Sequence, residues 1–271
     1  MPAWILRTLA VSTLVLLLAG CASHVAPADP SLWGGLQPGP YRAGFGLKWE
    51  TDPTRLYAGK PRPIPVGVWY PARDSSAPHI AIGDYYETRP GLPQFDPLAT
   101  RLNAYMRGPG VEKLFPLRTA ATRDAPSAKG PFPVILYNPG NTGNYADNST
   151  LFEYLATYGY VVLSTSYHCE NPQLVAPCLS AVRERDMIFL HRFATALAIA
   201  DASRVAAIGE REGAQIALVW ASEPDTPLAA VVGIDASDAR KGSAPTLLVP
   251  DAKDPAAIRA FLDTHLKKAP Q

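Results

Sequence analysis

Residues 203–215 read Ser-Arg-Val-Ala-Ala-Ile-Gly-Glu-Arg-Glu-Gly-Ala-Gln, a short apolar run that passes through Gly209 and Gly213 into a segment of helical spacing. A strand that turns into a helix over so few residues needs glycine wherever the two backbones close on each other. Midway between the glycines stands Arg211, flanked by Glu210 and Glu212. A guanidinium is protonated at any pH the protein meets, so this turn carries a hydrogen-bond donor and neither a nucleophile nor a proton acceptor.

The turn belongs to a regular alternation that begins at Pro131. Residues 132–138 form a continuous apolar run, as a strand buried on both faces should, and a Gly/Asn-rich loop follows. The spacing predicts a helix over 149–158 that stops at Gly159, a strand over 160–166 and a helix over 180–200. That second helix repeats Val182, Ile188, Phe189, Phe193 and Leu197 on one face, with its Arg, Glu and Asp residues opposite. After the 203–209 strand come a helix over 213–222, strands over 229–235 and 245–249, and a terminal helix over 254–267. Strands and helices in alternation specify an α/β fold with a mostly parallel central sheet and helices on both faces.

The first half reads differently, because the 28 prolines concentrate before residue 135. Residues 41–50 and 63–71 are predicted strands forming an N-terminal antiparallel pair, with Pro65 marking the second as an edge strand. Residues 72–130 read as a loop-rich excursion with one helical piece at 98–106, either bordering a binding crevice or lying on the surface. A chain of 271 residues with 47% hydrophobic content suits one large domain over 41–271. The formal net charge of +1, with no dense basic block, argues against a nucleic-acid partner.

Residues 1–20 have the form of a signal peptide, with Arg7 before an apolar core at 8–18. The Leu-Ala-Gly-Cys ending at 18–21 resembles the lipobox of bacterial lipoproteins, which implies cleavage before Cys21, lipid on its thiol and a membrane as partner. Ala22 in place of an aspartate implies the outer membrane, on its periplasmic side. Residues 21–40, rich in proline and glycine, read as a flexible tether. The remaining cysteines, Cys169 and Cys178, read as a disulfide in an oxidising compartment, which would contribute roughly 2 to 3 kcal/mol. A metal site on Cys169 and His168 lacks further ligands at suitable spacing, so neither metal nor cofactor is expected.

Several segments together resemble the α/β-hydrolases, in the branch of platelet-activating-factor acetylhydrolases and dienelactone-hydrolase-like esterases. They are Arg-Pro-Ile-Pro-Val-Gly-Val-Trp-Tyr-Pro at 62–71, Gly-Pro-Phe-Pro-Val-Ile-Leu-Tyr-Asn-Pro-Gly at 130–140 and Gly-Tyr-Val-Val-Leu at 159–163. Asp-Ala-Ser-Arg-Val-Ala-Ala-Ile-Gly at 201–209 and Gly-Ile-Asp at 233–235 complete the set. The resemblance implies a serine nucleophile on the elbow between the glycines, a histidine that takes its proton, an acid that orients the histidine, and backbone N–H groups for the oxyanion. By position the nucleophile falls on Arg211, the acid on Asp235, and the oxyanion donors on the amides of Asn141 and Glu212.

Two of the family's parts are therefore missing. Arg211 replaces the nucleophile, and the strand ending at Val249 runs almost directly into the last helix, leaving no loop for the histidine. His265 is the single histidine downstream and reads as an outward-facing helical residue, while His24, His79, His168 and His191 all precede the elbow. Ser149, Ser164, Ser166 and Ser237 have ready explanations as caps, strand ends and turns. Two readings of Arg211 stand: a surface ion cluster with Glu210 and Glu212 on a relaxed turn, or a retained elbow that aims it at Asp235 or at an anionic small molecule. The expectation is a lipid-anchored envelope protein with a decayed triad and a binding or structural role. The alternative is an active carboxylic-ester hydrolase with another nucleophile.

Overall fold

A computed structural model describes residues 29–87, 100, 110, 112–140, 143–166, 180–236, 243–250 and 254–267. The signal sequence, Cys21, His24, Asn141, His168, Cys169, Cys178, Ser237 and nearly all of the 98–106 segment lie outside them. Among the described residues no helix is long and apolar enough to cross a membrane.

Among the described residues nine strands form one mixed sheet: β1 (Arg42–Tyr57), β2 (Lys60–Ala72), β3 (His79–Ala81), β4 (Arg118–Arg123), β5 (Phe132–Asn138), β6 (Val161–Thr165), β7 (Ala200–Glu210), β8 (Leu228–Ile234) and β9 (Thr246–Val249). Their order is β3-β4-β1-β2-β6-β5-β7-β8-β9. From β6 to β9 every neighbour is parallel, and β1 and β2 make the expected antiparallel pair. The four longer helices are α1 (Ser149–Thr157), α2 (Ser180–Thr195), α3 (Glu212–Trp220) and α4 (Pro255–Leu266).

Strand periodicity sorts the core into two layers. Ile135, Tyr137, Val162 and Ile208 face Leu151, Phe152 and Leu155 of α1 and Ile258 and Leu262 of α4. Val134, Leu136, Leu163 and Ala207 face Met187 and Leu190 of α2 and Ala217 and Leu218 of α3. Helix ends follow the sequence signals. After α1, Gly159 takes φ 90° and its N–H donates to Ala156 O, while Tyr160 N–H donates to Leu155 O at 3.2 Å, a Schellman cap. At α4, Pro255 starts the helix and the Asp254 carboxylate accepts from Ala257 N–H at 2.9 Å.

Four expectations need correction. First, β2 is interior rather than an edge, lying between β1 and β6 despite Pro61, Pro63 and Pro65. The Pro65 carbonyl accepts from Thr165 Oγ1 at 2.7 Å, so that side of β2 faces β6. All three prolines share this parity and precede Val66, where the β2–β6 ladder starts, so their missing donors interrupt no pairing. Second, the 72–130 excursion contributes β3 and β4, and β4 extends the sheet parallel to β1. Its strand of Arg-Thr-Ala-Ala-Thr-Arg is too polar to stand out by hydrophobicity.

Third, α2 does not keep its charges outside. Arg183 and Asp186 are buried together with Val182, Met187, Leu190 and Ala194. Arg55 bridges Asp52 (Nε to Oδ2, 2.7 Å) and Asp186 (NH2 to Oδ1, 2.6 Å), and Arg62 NH2 reaches Asp186 Oδ2 at 3.4 Å. Burial is tolerated because each carboxylate there is met by a guanidinium. Fourth, the second half of the expected tether is docked. Asp29 N–H donates to Arg118 O, Gly39 N–H to Thr157 Oγ1 and Tyr41 N–H to Thr157 O. Leu32, Trp33 and Leu36 pack against the core between these points, and Pro30–Trp33 form a turn of helix capped by Asp29.

Candidate functional site

The elbow sits at the carboxyl edge of the parallel strands, between the end of β7 and the start of α3. Arg211 has φ 49° and ψ −114°, outside the regions an L-residue ordinarily occupies. The turn has therefore not relaxed. Its N–H donates to Ile234 O at 2.8 Å, which ties the turn to the end of β8. The glycines are there for close approach. A Cβ on Gly209 would lie 2.3 Å from Gly213 O, and one on Gly213 would lie 2.2 Å from Asn138 O and 2.6 Å from Pro139 O.

Asp235, one residue beyond β8, also has positive φ, at 50°, and its N–H donates to Val249 O. The structure brings Arg211 and Asp235 together, with Nε on Oδ2 at 2.8 Å and both side chains about half exposed, at 53% and 52%. The Asp235 carboxylate, first by this hydrogen bond and then by its charge, pushes the Arg211 guanidinium above its already high range, and Glu210 and Glu212 act in the same sense. Glu212 is the first residue of α3, so its amide N–H has no acceptor within the helix, as the donor role requires.

The site ties Glu210, read from the sequence as part of an ion cluster, to two residues that sequence reasoning missed, Tyr137 and Asn148. Glu210 Oε2 accepts from Tyr137 Oη–H and from Asn148 Nδ2–H, both at 2.9 Å, and Asn148 Nδ2 lies 2.5 Å from Tyr137 Oη. Burial, followed by the Glu210 charge, pushes the Tyr137 phenol well above its usual range, which keeps it a neutral donor. Asn148, not Ser149, is the N-cap of α1, yet its Oδ1 makes no capping bond, and its Nδ2 donates to Glu210 and Tyr137. The Asn at a helix start was a visible signal; its diversion into the site was not.

Among the described residues, no histidine hydrogen-bonds Asp235. His265 lies in the last turn of α4 with its ring 4.6 Å from Phe261, and His191 of α2 meets Trp220 edge-on at 6.2 Å. His79 begins β3 at the far edge of the sheet. Ser149 starts α1, Ser164 is buried in β6, and Ser166 Oγ accepts from Tyr145 N–H at 3.2 Å. Among the described residues, no three or more His, Cys, Asp or Glu side chains are grouped as a metal site would need.

The sheet order, the flanking helices and the strained turn define an α/β-hydrolase-like fold. No protein-family model and no curated protein matches the chain. Among solved structures, the chain is similar to a ferulic acid esterase from Streptomyces cinnamoneus, with TM-score 0.60 and 20% identity, over 86% of this chain and 73% of that one. At that identity the likeness carries the fold.

Proposed function

We propose that this protein is an esterase-fold chain that no longer hydrolyses esters and uses its elbow for binding or as a structural contact. One observation carries the reading: Arg211 Nε on Asp235 Oδ2 at 2.8 Å. Ester hydrolysis on this fold needs a nucleophile whose proton a histidine takes while an acid orients that histidine. A donor-only group stands where the nucleophile should, and it also occupies the carboxylate that would orient the base. The same pairing prepares a binding function, because it fixes a guanidinium at the carboxyl edge of the sheet with terminal N–H groups directed to an anionic small molecule. The protein acts at the envelope, held to the outer membrane by lipid on Cys21, with Cys169 and Cys178 joined as a disulfide.

A second reading, an active carboxylic-ester hydrolase, draws on the retained positive φ of Arg211 and on the glycines packed around it. The name of the similar solved structure supplies the ester class to try, a hydroxycinnamoyl ester. The purified chain is incubated with p-nitrophenyl butyrate and with methyl ferulate, with and without a serine-directed phosphonate. The expected result is no turnover above buffer and no labelling; phosphonate-sensitive turnover sinks the first reading. Arg211→Ser should also stay inactive, since among the described residues no histidine accompanies Asp235 as a positioned base. For the anchor, Cys21→Ala should shift the protein from the membrane to the soluble fraction.

A further inference from the structure

The docked N-terminal segment leaves a hollow beneath it. Held at Asp29 by Arg118 O and at Gly39 and Tyr41 by Thr157, the segment bows between these points over the start of β1 and over β4. The space enclosed is a cavity of about 450 Å³, within the range of small-molecule sites. Its walls are apolar where Trp33, Leu36 and Tyr41 line it. The polar part of the lining comprises Arg42, Arg73, His79, Asp29 and Asp74. A second hollow of about 460 Å³ shares Tyr41, Arg42 and Arg73 and extends to Lys129.

Two guanidinium groups, Arg42 and Arg73, and two carboxylates, Asp29 and Asp74, share this polar lining, but they do not pair off one to one. The Asp74 carboxylate holds Arg42 Nε at 2.7 Å, and the Asp29 carboxylate is taken by Ser31, whose N–H and Oγ–H donate to it at 2.9 and 2.7 Å. Arg73, whose backbone N–H donates to Pro126 O, has no side-chain partner among the described residues, and neither do the terminal nitrogens of Arg42. Burial, with Arg42 and Arg118 nearby, holds the His79 imidazole below its usual range, so it is neutral and adds no charge of its own. Two guanidinium forks at the mouth of an apolar chamber match a ligand with one anionic end and one apolar end.

We propose that this cavity binds a small amphiphilic anion, its carboxylate or phosphate on Arg42 and Arg73 and its apolar body against Trp33, Leu36 and Tyr41. The site lies at the amino edge of the parallel strands. Tyr41 packs on Phe132, the first residue of β5, whereas the elbow follows the carboxyl end of β7. It is therefore separate from the Arg211 site and stands whatever that site does.

The test is calorimetric titration of the full chain with octanoate and with octyl phosphate, the first standing for a free fatty acid and the second for a lipid headgroup. Saturable binding of either, at least tenfold tighter than octanol, is expected. Arg73→Gln and Arg42→Gln should each weaken it at least tenfold; both positions are exposed, and unchanged circular dichroism checks that the variants fold. Arg192→Gln, at an exposed arginine outside the cavity lining, should leave binding unchanged, and Arg211→Gln tells this site from the elbow. Three results overturn the proposal: no saturable binding of either anion, octanol bound as tightly as the anions, or loss of binding in the Arg211 variant but not in the Arg42 and Arg73 variants.

Discussion

Replacing Gly213 by alanine ought to stabilise a helix, and here it should do the opposite. Gly213 is the second residue of α3, where alanine is favoured over glycine by up to about 1 kcal/mol. The added methyl, however, would stand 2.2 Å from Asn138 O and 2.6 Å from Pro139 O, when a carbon and a carbonyl oxygen normally approach no closer than about 3.3 Å. Both obstacles are backbone, so neither can rotate away, and α3 has to lift from the end of β5 by about 1 Å. Overpacking of this kind costs about 3 kcal/mol at the upper end of its usual range. Set against the helix preference, the net loss is about 2 kcal/mol. For a domain of this size that lowers Tm by about 4 to 8 °C in calorimetry. Gly140→Ala is the control, since its methyl would sit 3.5 Å from Glu210 O, an ordinary contact, and stability should hold within about 0.5 kcal/mol. A Gly213→Ala protein as stable as the parent, or more so, would refute the close packing of the elbow on β5.

Other outcomes follow from buried charges and caps. Asp186→Asn removes a wholly buried carboxylate shared by Arg55 and Arg62 and should cost about 3 kcal/mol in urea unfolding. Glu153, wholly buried, is pushed from 4.5 up to about 7, chiefly by burial and against hydrogen bonds from Ala120 N–H and Tyr85 Oη–H. Between those values the folded state keeps a proton that the unfolded state has released, so stability falls as pH rises across the window, by up to about 3 kcal/mol. Glu153→Gln should remove that slope when unfolding is measured from pH 4 to pH 8. Asp254→Ala takes away the cap of α4 and should cost about 1 kcal/mol by chemical denaturation.

The parallel half of the fold was legible because strands such as Phe-Pro-Val-Ile-Leu-Tyr-Asn are apolar throughout and Gly159 and Asp254-Pro255 punctuate the helices. The other half was hard to read for a physical reason. Pro65 read as an edge marker because parity with respect to the neighbouring strand is not written in the sequence. Arg183 and Asp186 read as an outer face because the partners of Asp186, Arg55 and Arg62, come from more than a hundred residues upstream. At the site, spacing marked Arg211 and the glycines and the family resemblance marked Asp235, but the junction of Glu210 with Tyr137 and Asn148 depends on three elements meeting, which only coordinates show.

The docking of Asp29 beside Arg118 also fixes the edge of the sheet from which the described chain starts. Residue 118 begins β4, which is parallel to β1 and through it to β5, so the chain enters at the amino edge of the sheet. Arg211 and Asp235 sit at the other edge, one strand length or about 20 Å away. Whatever grips the chain ahead of Asp29 therefore holds the molecule by its base. With the proposed lipid on Cys21 as that grip, the elbow would be turned outward, toward whatever diffuses past, and the cavity under the N-terminal segment would look back at the support.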